Sequence, residues 1–151
     1  MTGWRIGYCA GPADIIKAMK KIQGQSTSNP TSISQVAAQA AQEGPQDCIT
    51  IMGAAFKERH DYVVNRLNGM AGIECLPTDG TFYVFPKVQG LIDAIDGVKD
   101  DLELAEYLIE QAGVALVPGS AFGLGGHVRI SIATSMANLE KALDRIAGVA
   151  G

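Results

Sequence analysis

Two arginines in this sequence occupy stretches where a lone cation calls for a partner. Arg129 lies in HVRISIA (127–133), in which Val128, Ile130 and Ile132 alternate with Arg129, Ser131 and Ala133, as in a strand with one apolar face. A charge on so apolar a strand is costly to bury unpaired. Its planar guanidinium serves either a structural ion pair or edge, or the two-pronged binding of a carboxylate or phosphate. Arg5 lies in the opening MTGWRIGYCAGP, where Trp4, Ile6 and Tyr8 alternate with Arg5, Gly7 and Cys9 and predict a short strand. The run GSAFGLGG (119–126) is dense enough in glycine for a backbone to approach a ligand. It matches neither GxGxxG nor the phosphate-binding pattern ending GK[ST], and by itself reads as a mobile loop. In PTDGTFYVFP (77–86), Asp79-Gly80 marks a turn, and Phe82, Tyr83 and Phe85 gather aromatics for a core or a pocket wall. Ser28-Asn29-Pro30 alone is a turn. These residues could hold an anionic small molecule. They include no nucleophile–base–acid set and no lysine in a setting that lowers its pKa.

The elements that must position these residues follow from periodicity. Pro12 suits a first helical turn, and Ile15, Met19 and Ile22 predict a helix over 13–23 ending near Gly24. A polar loop, 23–32, leads to an alanine-rich helix through Gln42, capped by Ser32 or Ser34. Ile49, Met52, Phe56, Val63 and Leu67 place one long amphipathic helix over 46–68, ended by Gly69 and Gly72. Strands are expected at 73–76, 81–86, 114–117 and 128–133, with helices at 101–112 and 136–147. Helices bracketing a few short strands point to an α+β fold, a short and mostly antiparallel sheet packed with helices, rather than a doubly wound sheet. Residues 1–30 offer a strand without a neighbour and a lone helix, as in a piece of something larger.

Composition narrows the function. The chain has 151 residues, 47% of them apolar and 19% charged, enough for an ordered core. A net charge of −4 argues against nucleic-acid binding, and the cluster Lys17, Lys20 and Lys21 reads as a solvated helix face. Cysteines 9, 48 and 75 suggest neither a disulfide framework nor a zinc site. His60 and His127 are far apart and set in no carboxylate–histidine motif, so no metal site is expected. No signal peptide is recognisable and no apolar run approaches the roughly 20 residues of a membrane span, so a cytoplasmic protein is expected.

Read in order, these stretches resemble the C-terminal part of the fold-type I pyridoxal-phosphate aminotransferases, the aspartate aminotransferase-like class. MTGWRIGY looks like the strand after the Schiff-base lysine, and SNP, P-x-x-G-x-F-Y, VPG-x-x-FG and R-I-S-x-A arrive in the family's order across essentially the whole chain. The resemblance implies that Arg5 holds the phosphate of pyridoxal phosphate and that Arg129 binds the substrate's α-carboxylate. It implies that Phe82 lines the substrate pocket with Gly80 leaving room for it, and that Ser28 and Asn29 approach the partner subunit's site in a homodimer. The glycine loop would be the mobile segment accompanying domain closure. Residues 1–31 would be a remnant of the large domain and 32–151 the small C-terminal domain.

The family's lysine belongs shortly before the Trp4-Arg5 pair, upstream of Met1. The chain is therefore expected to be a fragment with no catalytic residue of its own, inactive alone and not retaining the cofactor. Some relatives read a side-chain carboxylate with an arginine four residues ahead of the SNP serine. Gly24 stands there, so aspartate is only the leading substrate, exchanged with a 2-oxo acid in amino-acid metabolism. The alternatives are a lyase or synthase of the same fold, or a non-catalytic binding or assembly module.

Overall fold

A computed structural model describes residues 1–150, which divide into two compact units, Met1–Thr50 and the chain from Ile51 onward. The first unit opens with a 3-10 turn, Thr2–Trp4, closed by the Trp4 N–H donating to the Met1 carbonyl (3.1 Å). The strand expected here is absent. Arg5 instead takes a left-handed conformation, φ 51°, and residues 6–12 run on outside any helix or sheet. Alternating side chains do not make a strand unless a neighbouring backbone completes the ladder, and among the described residues none pairs with this segment.

Helix α1 (Ala13–Ser26) passes through Gly24 instead of stopping there, and α2 spans Ser32–Glu43. Thr31 is the N-cap of α2 without a side-chain cap; Ser34 uses its hydroxyl to donate to the Trp4 carbonyl (2.9 Å). Neither helix buries a residue, and Ile15, Met19 and Ile22 of α1 stand exposed.

Helix α3 (Asp47–Asn68) matches the expected long helix, but only its C-terminal half enters a core, through Val63, Val64 and Leu67. Ile49 and Met52 remain exposed. In the second unit a three-stranded antiparallel sheet, order β1-β3-β2, comprises β1 (Tyr83–Val84), β2 (Val117–Pro118) and β3 (Val128–Ser131). The α+β expectation is met. The stretch expected as a strand at 73–76 contributes only the bridge of Glu74 to Lys87.

Two short helices connect β1 to β2: α4 (Gln89–Ala94), which periodicity did not reveal, and α5 (Asp101–Tyr107). Asp100 caps α5 by accepting from Leu102 N–H (3.0 Å) and Glu103 N–H (2.9 Å), while Glu103 reaches back to Lys99 N–H (2.8 Å). A π turn, Leu108–Ala112, continues α5 and ends at Gly113, φ 63°, a left-handed stop that glycine supplies without a Cβ clash. Helix α6 (Met136–Ala150) starts with Ser135 Oγ accepting from Asn138 N–H (3.2 Å) and buries Leu139, Leu143 and Ile146. The core joins those residues to Leu104, Leu108, Val84 and Val128, each worth about 1.5–3 kcal/mol of burial. β3 runs through the middle of the sheet. Its residues therefore hold fixed positions against both neighbours.

Candidate functional site

Arg129 sits on this central strand, opposite Val117 of β2, with a half-buried side chain. Its guanidinium carbon stands 4.6 Å from the Phe122 ring centre and 5.2 Å from that of Tyr83. Both rings offer their electron-rich faces to the cation. Tyr83 reaches it from β1, where it pairs with Ser131, and Phe122 reaches it from the glycine run. Among the described residues Arg129 has no carboxylate partner. Of the two readings open for this arginine, the intramolecular ion pair is therefore not the one found. The rings flank the guanidinium, whose fork of donors has the geometry that suits a carboxylate or phosphate.

The glycine run is a hydrogen-bonded turn. Gly119–Phe122 form a 3-10 turn, Gly119 N–H donates to the His127 carbonyl (2.8 Å) and Leu124 N–H to the Gly119 carbonyl (3.1 Å). A Cβ on Gly119 would collide with the Leu124 carbonyl and lie 2.7 Å from that of His127, so only glycine closes this turn. Asp101, 3% exposed, holds both ends from below: Oδ2 accepts from Ser120 N–H (2.7 Å) and Oδ1 from Gly126 N–H (3.3 Å). Burial pushes the Asp101 carboxyl up, but the N–H groups of Ser120 and Gly126 outweigh it and leave the group below the usual aspartate value. The turn thus presents Phe122 to Arg129 from an anchored base. Phe85 adds support, stacked on His127 (5.4 Å) and edge-on to Phe122 (6.2 Å).

Beside this lies a cavity of about 750 Å³, walled by Gly53, Phe56 and His60 of α3 and by the turn carrying Gly80 and Phe82. Phe82 is half exposed and packs edge-on against Tyr83 (5.1 Å), while Gly80 has no heavy atom within 4 Å of where a Cβ would stand. Of the residues singled out from sequence, the second unit therefore brings Phe82 beside the Tyr83 ring that carries Arg129, with Gly80 opening the adjoining cavity. The first unit holds the others. Arg5 is exposed and has no ion-pair partner among the described residues. Ser28 is left-handed, φ 63°, and Asn29 donates through Nδ2 to the Pro30 carbonyl (3.1 Å); both are exposed.

Four residues of the second unit escaped the sequence reading. Tyr83 and Phe122 stand in the motifs P-x-x-G-x-F-Y and VPG-x-x-FG, but nothing in the spacing gives either of them a role beside Arg129. Asp101 follows the capping Asp100, and a doubled aspartate at a helix start was the available signal. His60 lies in no metal-ligand pattern, and its partners are local: Nδ1 lies 3.1 Å from Asp61 Oδ1, and Nε2 accepts from Thr78 N–H (3.0 Å). Asp61 also takes Lys57 Nζ at 2.6 Å, and Lys57 and then His60 hold its carboxyl below the usual value.

The second unit is thus an α+β fold whose small antiparallel sheet displays, between two aromatic rings, an arginine with no ion-pair partner among the described residues. Comparison with known proteins names the class: residues 1–146 match the family described as aminotransferase class I and II, and the chain belongs to that family. It is 52% identical, over 99% of its length and 39% of the relative's, to an aspartate/prephenate aminotransferase of Nitrosomonas europaea. The fold is similar to the crystal structure of the aspartate aminotransferase of Rhizobium meliloti, with a TM-score of 0.84 and 47% identity, covering 99% of this chain and 38% of that one. It is also similar to the Thermus thermophilus aspartate aminotransferase with maleate, with a TM-score of 0.80, 41% identity and coverage of 99% and 38%. The chain thus spans about two fifths of the length of these relatives.

Proposed function

We propose that this chain is the C-terminal part of an aspartate-type aminotransferase, and that its second unit supplies the grip on the substrate's α-carboxylate. The observation that carries this reading is Arg129, held between Tyr83 and Phe122 without a carboxylate of its own among the described residues. A carboxylate docked there takes two parallel N–H···O bonds, which orients the amino acid as well as binding it. Phe82 bounds the adjoining space and excludes water from one side of the bound substrate, and Gly80 leaves that space open. Aspartate is the leading substrate because the relatives are named for it and one was solved with maleate, a dicarboxylate. The exchange partner is a 2-oxo acid.

The family implies pyridoxal phosphate, and Arg5 fits its phosphate: it is an exposed arginine with no ion-pair partner among the described residues. When bound, the cofactor supplies an electron sink for the carbanion formed at the substrate's α-carbon. Residues 1–31 are read as the remnant of a large domain and 32–151 as the small domain. Ser28 and Asn29 are read as facing the partner's site in a homodimer. Among the described residues no helix is long and apolar enough to cross a membrane, in keeping with a cytoplasmic enzyme. The proton-transferring lysine is assigned to polypeptide outside these 151 residues. The purified chain, supplied with pyridoxal phosphate, aspartate and a 2-oxo acid, should then show no amino transfer; turnover would overturn that assignment.

A further inference from the structure

We propose that His60 is a positioning residue for the substrate wall: it holds the turn that presents Phe82 and seats Tyr83 against Arg129. The inference rests on the proposed roles of Phe82 and Arg129. Thr78 N–H donates to His60 Nε2 at 3.0 Å, so Nε2 is the acceptor and the ring proton sits on Nδ1, directed at Asp61 Oδ1 (3.1 Å). The imidazole is thereby fixed as one neutral tautomer, with its side chain only 13% exposed.

The segment it grips is strained. Thr81 lies at φ 74°, a conformation that a β-branched residue rarely adopts and that persists only where the surroundings over-determine it. On the far side the Phe82 carbonyl accepts from Ile132 N–H (2.8 Å), just beyond the strand of Arg129. Within the turn, Thr78 Oγ1 donates to the Gly80 carbonyl (3.1 Å). His60 is therefore the side chain that ties the near end of the turn to α3, while the backbone of the β3 strand's continuation ties the far end. With both ends held, the Phe82 ring packs on Tyr83 and the Tyr83 ring on Arg129.

The clamp works only while His60 Nε2 is an acceptor. A proton on Nε2 would set two donors against each other and release Thr78. The charged groups lining the same cavity are Lys57 and Asp61 of α3 and Asp79 of the turn. Lys57 is engaged with Asp61, so Asp61 orients the imidazole through Nδ1 with its charge already partly matched.

The test uses His60→Gln, whose side-chain oxygen can accept the Thr78 N–H, and His60→Leu, which cannot accept it. In the 151-residue chain, amide hydrogen exchange at Thr78 should accelerate in His60→Leu and stay near the wild-type rate in His60→Gln. In the complete enzyme, His60→Leu should raise KM for aspartate about tenfold, the loss of one hydrogen bond, with kcat much less affected. His60→Gln, which keeps an acceptor for the Thr78 N–H, should restore the low KM that His60→Leu loses. An unchanged KM in His60→Leu, or a KM in His60→Gln raised as far as in His60→Leu, overturns the proposal. Phe82→Ala and Arg129→Ala serve as controls: if they raise KM and His60→Leu does not, only the role of His60 fails. If neither control moves KM, the substrate-wall reading fails and this inference falls with it.

Discussion

Replacing Asp101 tests how the arginine's aromatic support is held up. The carboxylate is 3% exposed and accepts from Ser120 N–H at 2.7 Å and Gly126 N–H at 3.3 Å. A hydrogen bond to a charged group contributes about 1.5–3 kcal/mol, the shorter bond falling high in that range and the longer one below it. Asp101→Ala loses both, and because Ser120 is exposed, water can take over its amide; the net cost should be about 3 kcal/mol. Asp101→Asn keeps one oxygen for Ser120 but turns an amino group toward Gly126, which should cost about 1.5 kcal/mol. For a chain of this size, 3 kcal/mol corresponds to a fall in Tm of roughly 6–12 °C. Urea unfolding would be followed by far-UV circular dichroism, with hydrogen exchange at Leu104 and Leu143 reporting the second unit. The sign of the pH dependence is fixed by the lowered pKa. Asp101 contributes its full stabilisation above the ordinary aspartate pKa of 3.8 and loses it as pH falls through the depressed folded value. The gap between wild type and Asp101→Asn should therefore narrow on acidification. A loss below about 0.5 kcal/mol for Asp101→Ala, within the range of an ordinary surface substitution, would refute the clamp.

Two further predictions concern the rest of the chain. Cys9 and Cys48 are exposed and should react with a thiol reagent under native conditions, whereas burial pushes the Cys75 thiol up to about 11, so it should react only on unfolding; prompt modification of three thiols per chain would contradict this packing. Gly72, at φ 77°, meets Gly90 so closely that a Cβ on Gly90 would stand 2.6 Å from the Gly72 Cα. Gly72→Ala should destabilise by at least about 2 kcal/mol, while Gly53→Ala, in mid-helix with open space around it, should stabilise by up to about 1 kcal/mol, as read by urea titration.

What the residues revealed in advance follows a physical pattern. The long helices were legible because apolar spacing persists over several turns, as in Asp47–Asn68 and Met136–Ala150. The strand of Arg129 was legible because its alternation is backed by sheet neighbours on both sides. The same alternation misled at Trp4, Ile6 and Tyr8, where no such neighbour completes a ladder among the described residues. Helix α4 has six residues, too few for a period to declare itself. Arg129 was legible as a strand arginine that could serve an anion, yet its setting depends on Tyr83 and Phe122 from two other elements. Asp101 meets partners 19 and 25 residues away, and the clamp of His60 on Thr78 crosses 18, distances at which linear spacing carries no signal.

The central claim divides two arginines between two anions, and one pair of binding measurements tests it. Pyridoxal phosphate and a non-reactive dicarboxylate such as maleate would be titrated into the complete enzyme carrying Arg5→Ala or Arg129→Ala. Removing a bidentate charge-assisted contact should weaken the ligand it serves by about tenfold to a hundredfold. The account predicts that Arg5→Ala weakens the cofactor more than the dicarboxylate, and that Arg129→Ala does the reverse. Equal effects of the two substitutions on cofactor affinity would contradict it.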